Sequence, residues 1–320
     1  MKPETSRNSQ IVNLMDPYIE ILNLSKHYGQ IRAVDDLSMK VLPGDIYGFL
    51  GPNGSGKSTT IRMMLSLIRP TSGQILLFGQ DLAKDRYKTL SRLGALVEKP
   101  DFYNYLSARK NLEILGKLSS ISNLKHRVDE VLELVGLLPR ASSTVRTYSL
   151  GMKQRLGIAQ SLLHYPDLII LDEPTNGLDP QGQKEIRDLV KSLNQDKNIT
   201  ILISSHILFE IEQIANRMII IDKGKALVEG NVQELVNSQD RQVAFVLGDT
   251  VAGLTLLNET AWAGRIIKSN QERIYFKINK DEIPELNAFL VEHKMQIFAV
   301  EPVRSLEEFF LQITEDEKVS

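Results

Sequence analysis

One stretch decides the fold of this chain: Gly51-Pro52-Asn53-Gly54-Ser55-Gly56-Lys57-Ser58-Thr59. It follows an apolar run, Ile46 to Leu50, and precedes a helical stretch, Ile61 to Leu67. The pattern G-x-x-x-x-G-K-[ST] between a strand and a helix is typical of a phosphate-binding loop, because glycines let several backbone N–H groups face one anion. The dipole of the following helix favours the same anion. We therefore predict that this loop binds the phosphates of a nucleotide; a glycine-rich turn that binds nothing is the alternative.

Two side chains of this loop have predicted chemical roles. The Lys57 ammonium would reach the β- and γ-phosphates, and we count it among the catalytic residues as well as the binding residues. The Ser58 hydroxyl would be a ligand of Mg²⁺, which prefers oxygen ligands and binds together with nucleotide phosphates. The loop therefore predicts a site for a nucleotide with Mg²⁺.

Strands and helices alternate along most of the chain. From Pro17 to about Gly230, β-type runs alternate with helical patterns, which predicts an α/β fold whose parallel sheet is buried on both faces. Ligands of such sheets bind at the carboxyl ends of the strands. Between Asp101 and His164 the pattern is helical without strands. We predict one domain over residues 18–230 with a helical subdomain at about 101–164, preceded by a flexible leader over residues 1–17.

Two further apolar runs end in polar residues. Leu168 to Leu171 is followed by Asp172 and Glu173, which would lie beside the phosphate loop if the two strands are neighbours. We predict that Asp172 holds the metal and that Glu173 polarises the attacking water as general base. Ile201 to Ile203 is followed by Ser204-Ser205-His206, and the His206 imidazole could hydrogen-bond a γ-phosphate and orient the water. A capping or solvated acidic pair and a structural histidine are the alternatives.

The chain after Gly230 has a different order of elements. Apolar runs and helical patterns follow one another there as strand, short helix, strand, strand, helix and strand, which is the split β-α-β order of ferredoxin-like domains. The second helix is the clearer one, since Ile283, Leu286 and Leu290 share a face. We predict a small accessory α+β domain over residues 240–315.

Composition excludes several classes of function. The 320 residues include 38 basic and 40 acidic side chains, a net charge of −2, so we expect no nucleic-acid partner. Cysteine is absent, which excludes disulfides and thiolate metal sites, and the five histidines lack metal-ligand spacing. The longest apolar runs span about four residues, where a membrane-spanning helix needs about 20. We therefore expect an enzyme that works in the cytosol without a structural metal.

A loop in the helical segment carries the resemblance to a known family. It contains Ser149 and Gly151 and opens a helix: Tyr148-Ser149-Leu150-Gly151-Met152-Lys153-Gln154-Arg155. With the phosphate loop, the acidic strand end and the polar strand end in this order, residues 18–230 resemble the ATP-binding cassette of ABC transporters, whose signature is L-S-G-G-Q. The loop is degenerate, but Ser149 and Gly151 keep the positions whose hydroxyl and backbone N–H face phosphate. An ordinary helix cap is the alternative interpretation.

The resemblance implies a fold, a reaction and an assembly. The fold is a P-loop NTPase cassette with a helical insertion, its ligands are ATP and Mg²⁺, and its reaction is hydrolysis of ATP. In the family the signature loop contacts the ATP of the opposite subunit, so the resemblance implies a head-to-tail dimer, here a homodimer, with two ATP molecules between the cassettes. Asp179 resembles the residue of the D-loop that couples the two sites, and Tyr28 matches the aromatic residue that stacks on adenine. A polar turn and an exposed tyrosine without a function are the respective alternatives.

One position departs from the family pattern. Glu98 stands where relatives have the glutamine of the Q-loop; a carboxylate could still reach Mg²⁺, but it adds negative charge near phosphate and cannot donate a hydrogen bond. This variant is similar to the exporters of drugs, lantibiotics and bacitracin-like peptides. The closing segment from Pro302 to Leu311 resembles the tail of the same branch.

We therefore expect the ATP-hydrolysing subunit of a membrane exporter, a peripheral protein at the cytoplasmic face of the cell membrane. Its partner would be an integral-membrane permease that docks near Glu98 and the segment after it, where Phe102, Tyr103 and Tyr105 are suitable aromatic anchors. Packing of the helical segment against the sheet is the alternative role of these aromatics. An importer cassette and a soluble ABC ATPase acting on DNA or ribosomes are the alternative functions.

Overall fold

The computed structural model describes residues 16–98, 100–119, 121–237 and 242–303. Nearly all of the predicted leader and most of the closing segment Pro302 to Leu311 lie outside the described residues. The chain divides into two compact units, Met1–Gly230 and Asn231–Ser320.

Two sheets form the first unit. The strands are β1 Ile19–Tyr28, β2 Ile31–Val41, β3 Ile46–Leu50, β4 Ser72–Leu77, β5 Gln80–Asp81, β6 Leu93–Leu96, β7 Leu168–Asp172, β8 Thr200–Ser205, β9 Arg217–Asp222 and β10 Lys225–Asn231. An antiparallel sheet has the order β2-β1-β4-β5, and a six-stranded sheet has the order β10-β9-β3-β8-β7-β6. In the second sheet, β9, β3, β8, β7 and β6 run parallel to their neighbours.

Seven helices of the described residues accompany these sheets. They are α1 Lys57–Met64, α2 Arg86–Leu90, α3 Ala108–Leu118, α4 Leu124–Leu134, α5 Leu150–Leu162, α6 Pro180–Lys197 and α7 Leu208–Ile214. β3, β7 and β8 are buried along their whole length, which explains why the apolar runs within them are continuous instead of alternating. The three strands predicted from the sequence are confirmed, and β8 extends past the prediction to Ser205.

Helices α3, α4 and α5 lie between β6 and β7 in the chain. The periodic apolar residues of α4, among them Val128 and Val131, are fully buried, so the helical pattern predicted there is confirmed. The buried Arg127 donates to the carbonyl oxygens of Leu162 and Leu163, where α5 ends. The Leu162 carbonyl also accepts from the Tyr165 N–H at 3.2 Å, so the arginine is an additional donor there and joins α4 to α5.

The second unit contains a four-stranded antiparallel sheet. Its elements are α8 Val232–Asn237, β11 Gln242–Leu247, α9 Thr250–Asn258, β12 Ile266–Ser269, β13 Arg273–Lys277, α10 Ile283–Glu292 and β14 Ile297–Val303. The sheet order is β12-β13-β11-β14. Phe245 and Phe276 are fully buried and meet edge to face, with ring centroids 5.4 Å apart. Leu286 and Leu290 of α10 belong to the same core, as their shared helical face predicts.

No helix among the described residues combines the length and the apolar character needed to cross a membrane.

Candidate functional site

The strand order brings three polar strand ends to one edge of the six-stranded sheet. β8 lies between β3 and β7, with Leu50 beside Ser205 and Asp172 beside Ser204. The phosphate loop follows β3, Glu173 follows β7, and His206 follows β8. The sequence placed the acidic pair beside the phosphate loop on the condition that their two strands are neighbours. In the structure β8 separates β3 from β7, so this condition is not met. The ends of β3 and β7 still lie close together, because a single strand separates them.

The phosphate loop has the geometry of an anion site. Gly56 precedes α1 with a φ of 106°, and no side chain caps the helix, so no side chain competes for the first N–H groups of α1. A Cβ at Gly56 would lie 2.5 Å from the Ala33 carbonyl oxygen, so glycine is required by both space and conformation. The loop is anchored from outside: Gly51 N–H donates to Ser205 O at 3.3 Å, and Gly224 N–H donates to Ser55 O at 2.9 Å.

Lys57 is buried, and its ammonium points along the loop. Nζ lies 2.6 Å from Gly51 O, 3.0 Å from Pro52 O and 3.3 Å from Glu173 Oε1. The two carbonyl oxygens accept hydrogen bonds from the ammonium, and the Glu173 carboxylate is its ion-pair partner. The lysine therefore joins the phosphate loop to the acidic strand end within one chain.

Glu173 sits between Lys57 and His206. Its Oε2 accepts from His206 Nδ1 at 2.7 Å, while its Oε1 faces the lysine. An ionised carboxylate only accepts, so the imidazole carries its hydrogen at Nδ1. Glu173 has a φ of 48°, the left-handed region, which costs a residue other than glycine of order 1 kcal/mol. Its N–H donates to Ser204 Oγ at 2.9 Å, which holds this backbone conformation in place.

Asp172 is 6% exposed, and Ser204 fixes its carboxylate. Ser204 Oγ donates to Asp172 Oδ1 at 2.5 Å and accepts from the Glu173 N–H, so one hydroxyl positions both acidic residues. Sequence reasoning noted Ser204 but gave it no function. The polar end of β8 was the signal, but only the register between β7 and β8 shows which hydroxyl faces which carboxylate.

Lys57 and Glu173 line a cleft of about 190 Å³. Two of its lining residues, Ala33 and Asn176, were not predicted. Asn176 follows the acidic pair in the sequence, which was a usable signal, whereas Ala33 is distant in sequence and had none. The full lining is Ala33, Asn53, Gly54, Gly56, Lys57, Ser58, Thr59, Glu173 and Asn176.

Ten of the predicted site residues are absent from this lining. Five of them belong to the phosphate loop or to the strand ends beside it: Gly51, Pro52, Ser55, Asp172 and His206. The other five belong to other segments of the chain. Ser149 caps α5 and accepts from Met152 N–H at 3.2 Å, and Gly151 lies in the first turn of that helix. Asp179 caps α6 by accepting from the Gly182 N–H at 2.9 Å. Tyr28 is 49% exposed at the end of β1, with Lys26 Nζ 5.0 Å from its ring centroid. The fifth residue is Glu98.

Glu98 is paired with an arginine outside the cleft. Its side chain is 64% exposed and contacts the Arg62 guanidinium of α1. A metal ligand needs a free carboxylate oxygen directed at the ion, and here one oxygen is engaged by Arg62. The role of Glu98 as a metal ligand stays a prediction.

A larger cleft of about 820 Å³ lies elsewhere, beside the end of α1 and β4. None of the predicted site residues lines it. Because the smaller cleft is lined by the phosphate loop and by the ion pair of Lys57 and Glu173, it is the candidate site.

A glycine-rich loop with a buried lysine, an acidic pair on a parallel strand and a neighbouring histidine define the class of P-loop ATPases. Comparison with known proteins then shows the family. The model of the ABC transporter family matches residues 34–176. The chain is 45% identical over 302 residues to the bacitracin transport ATP-binding protein BcrA of Bacillus licheniformis, covering 93% of this chain and 98% of that protein. The chain therefore belongs to the ATP-binding subunits of ABC transporters, which hydrolyse ATP.

Two further similarities agree with this family. The chain is 39% identical over 227 residues to the lantibiotic transport ATP-binding protein SrtF of Streptococcus pyogenes, covering 69% of this chain and 96% of that protein. The solved structure of cbiO1 from Clostridium perfringens, part of the ABC transporter complex cbiONQ, has a TM-score of 0.65 at 25% identity and covers 77% of this chain and 96% of that one. The predicted family, the α/β P-loop fold and the ATPase activity are confirmed.

Proposed function

We propose that this chain is the ATPase subunit of an exporter, that it acts as a head-to-tail dimer of two cassettes, and that it works with an integral-membrane permease at the cytoplasmic face of the cell membrane. The names of its relatives support the exporter assignment, since they include bacitracin and lantibiotic transport proteins and a daunorubicin resistance protein of Streptomyces coeruleorubidus. None of these names favours an importer or an ATPase acting on DNA or ribosomes.

The position of Glu173 supports its assignment as the general base. Glu173 lies between the lysine that would hold the γ-phosphate and the histidine that fixes one carboxylate oxygen. In the proposed reaction the carboxylate takes a proton from water, the water oxygen bonds to the γ-phosphorus, and the bond from that phosphorus to the β–γ bridging oxygen breaks, giving ADP and phosphate. A bound γ-phosphate would compete with Glu173 for the lysine ammonium, because the ammonium already pairs with this carboxylate.

The residues around the cleft fit Mg²⁺. Ser58 lines the cleft and Asp172 offers a fixed carboxylate, and these are the hard oxygen ligands that Mg²⁺ prefers. In nucleotide sites Mg²⁺ takes one or two protein ligands together with phosphate oxygens. The bound ion would neutralise charge on the phosphates. We propose Ser58 and Asp172 as its protein ligands.

The geometry of the signature loop supports the dimer. Ser149 and Gly151 open α5 but do not line the cleft of their own chain. A serine hydroxyl and the free N–H groups of a helix N-terminus are suited to phosphate. In a head-to-tail dimer they would complete the cleft of the partner.

The second unit has a proposed role outside catalysis. Its buried core is apolar, and its residues do not line the cleft. We therefore propose that the chain without residues 240–315 still binds ATP but loses assembly or regulation. Loss of ATP binding in a folded truncated protein would contradict this assignment.

Glu173→Gln tests the proposed function. The amide keeps the size of the side chain but cannot take a proton from water, so kcat should fall by at least about 10²-fold while ATP binding is retained. Glu259→Gln, an exposed change in the second unit, is the matched control and should leave kcat unchanged. Turnover of the Glu173→Gln protein at the wild-type rate would contradict the general-base assignment.

A further inference from the structure

Glu210 is a buried carboxylate that has no part in the proposed reaction. It lies in the first turn of α7 and is 4% exposed. No cation pairs with it among the residues that the structure describes. Burying a carboxylate without a positive partner costs free energy, so such a group at this position calls for a functional explanation.

The carboxylate joins two loops that carry site residues. Glu210 Oε2 accepts from Thr175 Oγ1 at 2.7 Å and from Ser205 Oγ at 3.0 Å. Thr175 lies two residues after Glu173, and Ser205 directly precedes His206. Both hydroxyl residues are almost completely buried. One carboxylate oxygen therefore connects the segment after the proposed general base with the segment before its histidine.

The helix that carries Glu210 is itself held in place. A Cβ at Gly48 of β3 would collide with the side chain of Ile211, so α7 approaches the strand that leads into the phosphate loop as closely as glycine permits. Ile211 is fully buried in this contact. Since packed interiors do not deform continuously, Glu210 holds Thr175 and Ser205 at fixed positions relative to β3.

We propose that Glu210 is a positioning residue for ATP hydrolysis, which fixes the geometry of the Glu173–His206 pair by holding Thr175 and Ser205. This inference rests on the proposed role of Glu173. Glu210 acts through hydrogen-bond acceptance and does not touch the reacting atoms. The alternative is a purely structural role, in which its negative charge stabilises the N-terminus of α7.

The test compares Glu210→Leu with Glu210→Gln in the full chain. Leucine leaves both hydroxyls without their acceptor, so kcat should fall on the order of 10²-fold through misplacement of the pair, with the KM for ATP nearly unchanged. Glutamine keeps an acceptor oxygen for both hydroxyls, so kcat should recover to within about threefold of wild type. Failure of glutamine to rescue a folded protein would overturn the inference and favour the charge-dependent role.

Thr175→Val and Ser205→Ala decide the question if Glu210→Leu fails to fold. Each removes one hydroxyl, and each should lower kcat without raising the KM. Thr89→Val is the matched control, because Thr89 is equally buried but donates only to backbone carbonyls of its own helix region. Wild-type kcat in both Thr175→Val and Ser205→Ala would overturn the inference.

A double variant separates this inference from the proposed function. If Glu210 acts through Glu173, adding Glu210→Leu or Thr175→Val to Glu173→Gln should lower the residual rate no further. Full additivity of Thr175→Val with Glu173→Gln would overturn the inference alone. Wild-type kcat in Glu173→Gln would instead contradict the proposed function, and with it the premise of the inference.

Discussion

The carboxyl edge of the six-stranded sheet and the helical segment from α3 to α5 both carry predicted site residues, but their surroundings differ. At the sheet edge Glu173 contacts both Lys57 and His206. In the helical segment Ser149 hydrogen-bonds only the start of its own helix, and Tyr105 is 74% exposed. The first region is a nearly complete site within one chain, whereas the second presents groups that require another molecule. Substitutions in the two regions should therefore fail in different ways.

Lys57→Ala gives the largest expected effect, because it removes the charge at the centre of the sheet edge. We expect MgATP affinity to fall by roughly 10- to 100-fold, the loss typical of one or two charge-assisted hydrogen bonds. Titration with a fluorescent ATP analogue measures it, and Lys184→Ala, an exposed change on α6, is the control. Unchanged affinity in the Lys57→Ala protein would show that the cleft is not the phosphate site.

Mixing two inactive chains tests the helical segment in the dimer. In a mixed dimer of Ser149→Arg and Lys57→Ala chains, the intact lysine of one chain faces the intact serine of the other. Random pairing makes about half of the dimers mixed, and each has one intact site of two, so about a quarter of the wild-type rate should return. ATPase assays of mixed and separate chains measure it. Stable mixed dimers no more active than either parent would count against the shared site.

The same contrast explains how much of the site could be predicted from the sequence. The phosphate loop was predictable because its chemistry is local: glycines, a lysine and a hydroxyl stand within one turn. Asp172 and His206 were predictable because polar residues after apolar parallel strands collect at one edge. Ser204 and Asn176 were missed, since their roles depend on the order β3-β8-β7 and on the turn after Glu173, which no local pattern specifies.

Fold prediction shows the same division between local and long-range information. The helical pattern between Asp101 and His164 predicted α4, and the predicted order of strands and helices in the second domain matches β11 and the elements after it. The buried face of α9, the helix that follows β11, was harder to foresee, because α9 is apolar on most sides and shows little periodicity. The contact between Glu98 and Arg62 joins residues far apart in sequence, so no spacing rule could reveal it.

Substitutions of the aromatic residues after Glu98 have expected effects of intermediate size and test the same comparison. Tyr103 and Tyr105 are 53% and 74% exposed and meet edge to face at 6.0 Å, whereas Phe102 is buried. Tyr105→Ser should therefore lower the amount of protein bound to membranes carrying the permease, with thermal stability and ATP binding unchanged. Phe102→Ser should lower stability first, because it removes buried apolar surface.

The control for this prediction is Tyr87→Ser, which changes an exposed tyrosine on α2. Co-sedimentation with membranes and thermal unfolding are the two measurements. Equal membrane binding of the Tyr105 and Tyr87 variants would show that the segment after Glu98 does not dock on the permease.

The smallest expected effect is a pH dependence of folding stability. It comes from the packing of the helical segment and involves no ligand. His164 follows α5, and its Nε2 lies 3.1 Å from Leu93 O of β6. Burial lowers the pKa of His164 from 6.5; the hydrogen bond to Leu93 opposes this shift, and the nearby Arg127 charge adds to it. The unfolded chain therefore binds the proton more readily than the folded chain.

Stability contributed by His164 is thus fully present above about pH 6.5 and is lost as the pH falls toward the lowered pKa of the folded protein. His164→Gln keeps a hydrogen-bond donor for Leu93 but does not titrate, so the variant should lose less stability than wild type between pH 7 and 5 on urea unfolding. His126→Gln, an exposed histidine change on α4, should follow the wild-type pH profile. Parallel pH profiles for His164→Gln and wild type would show that this imidazole does not link protonation to folding of the helical segment.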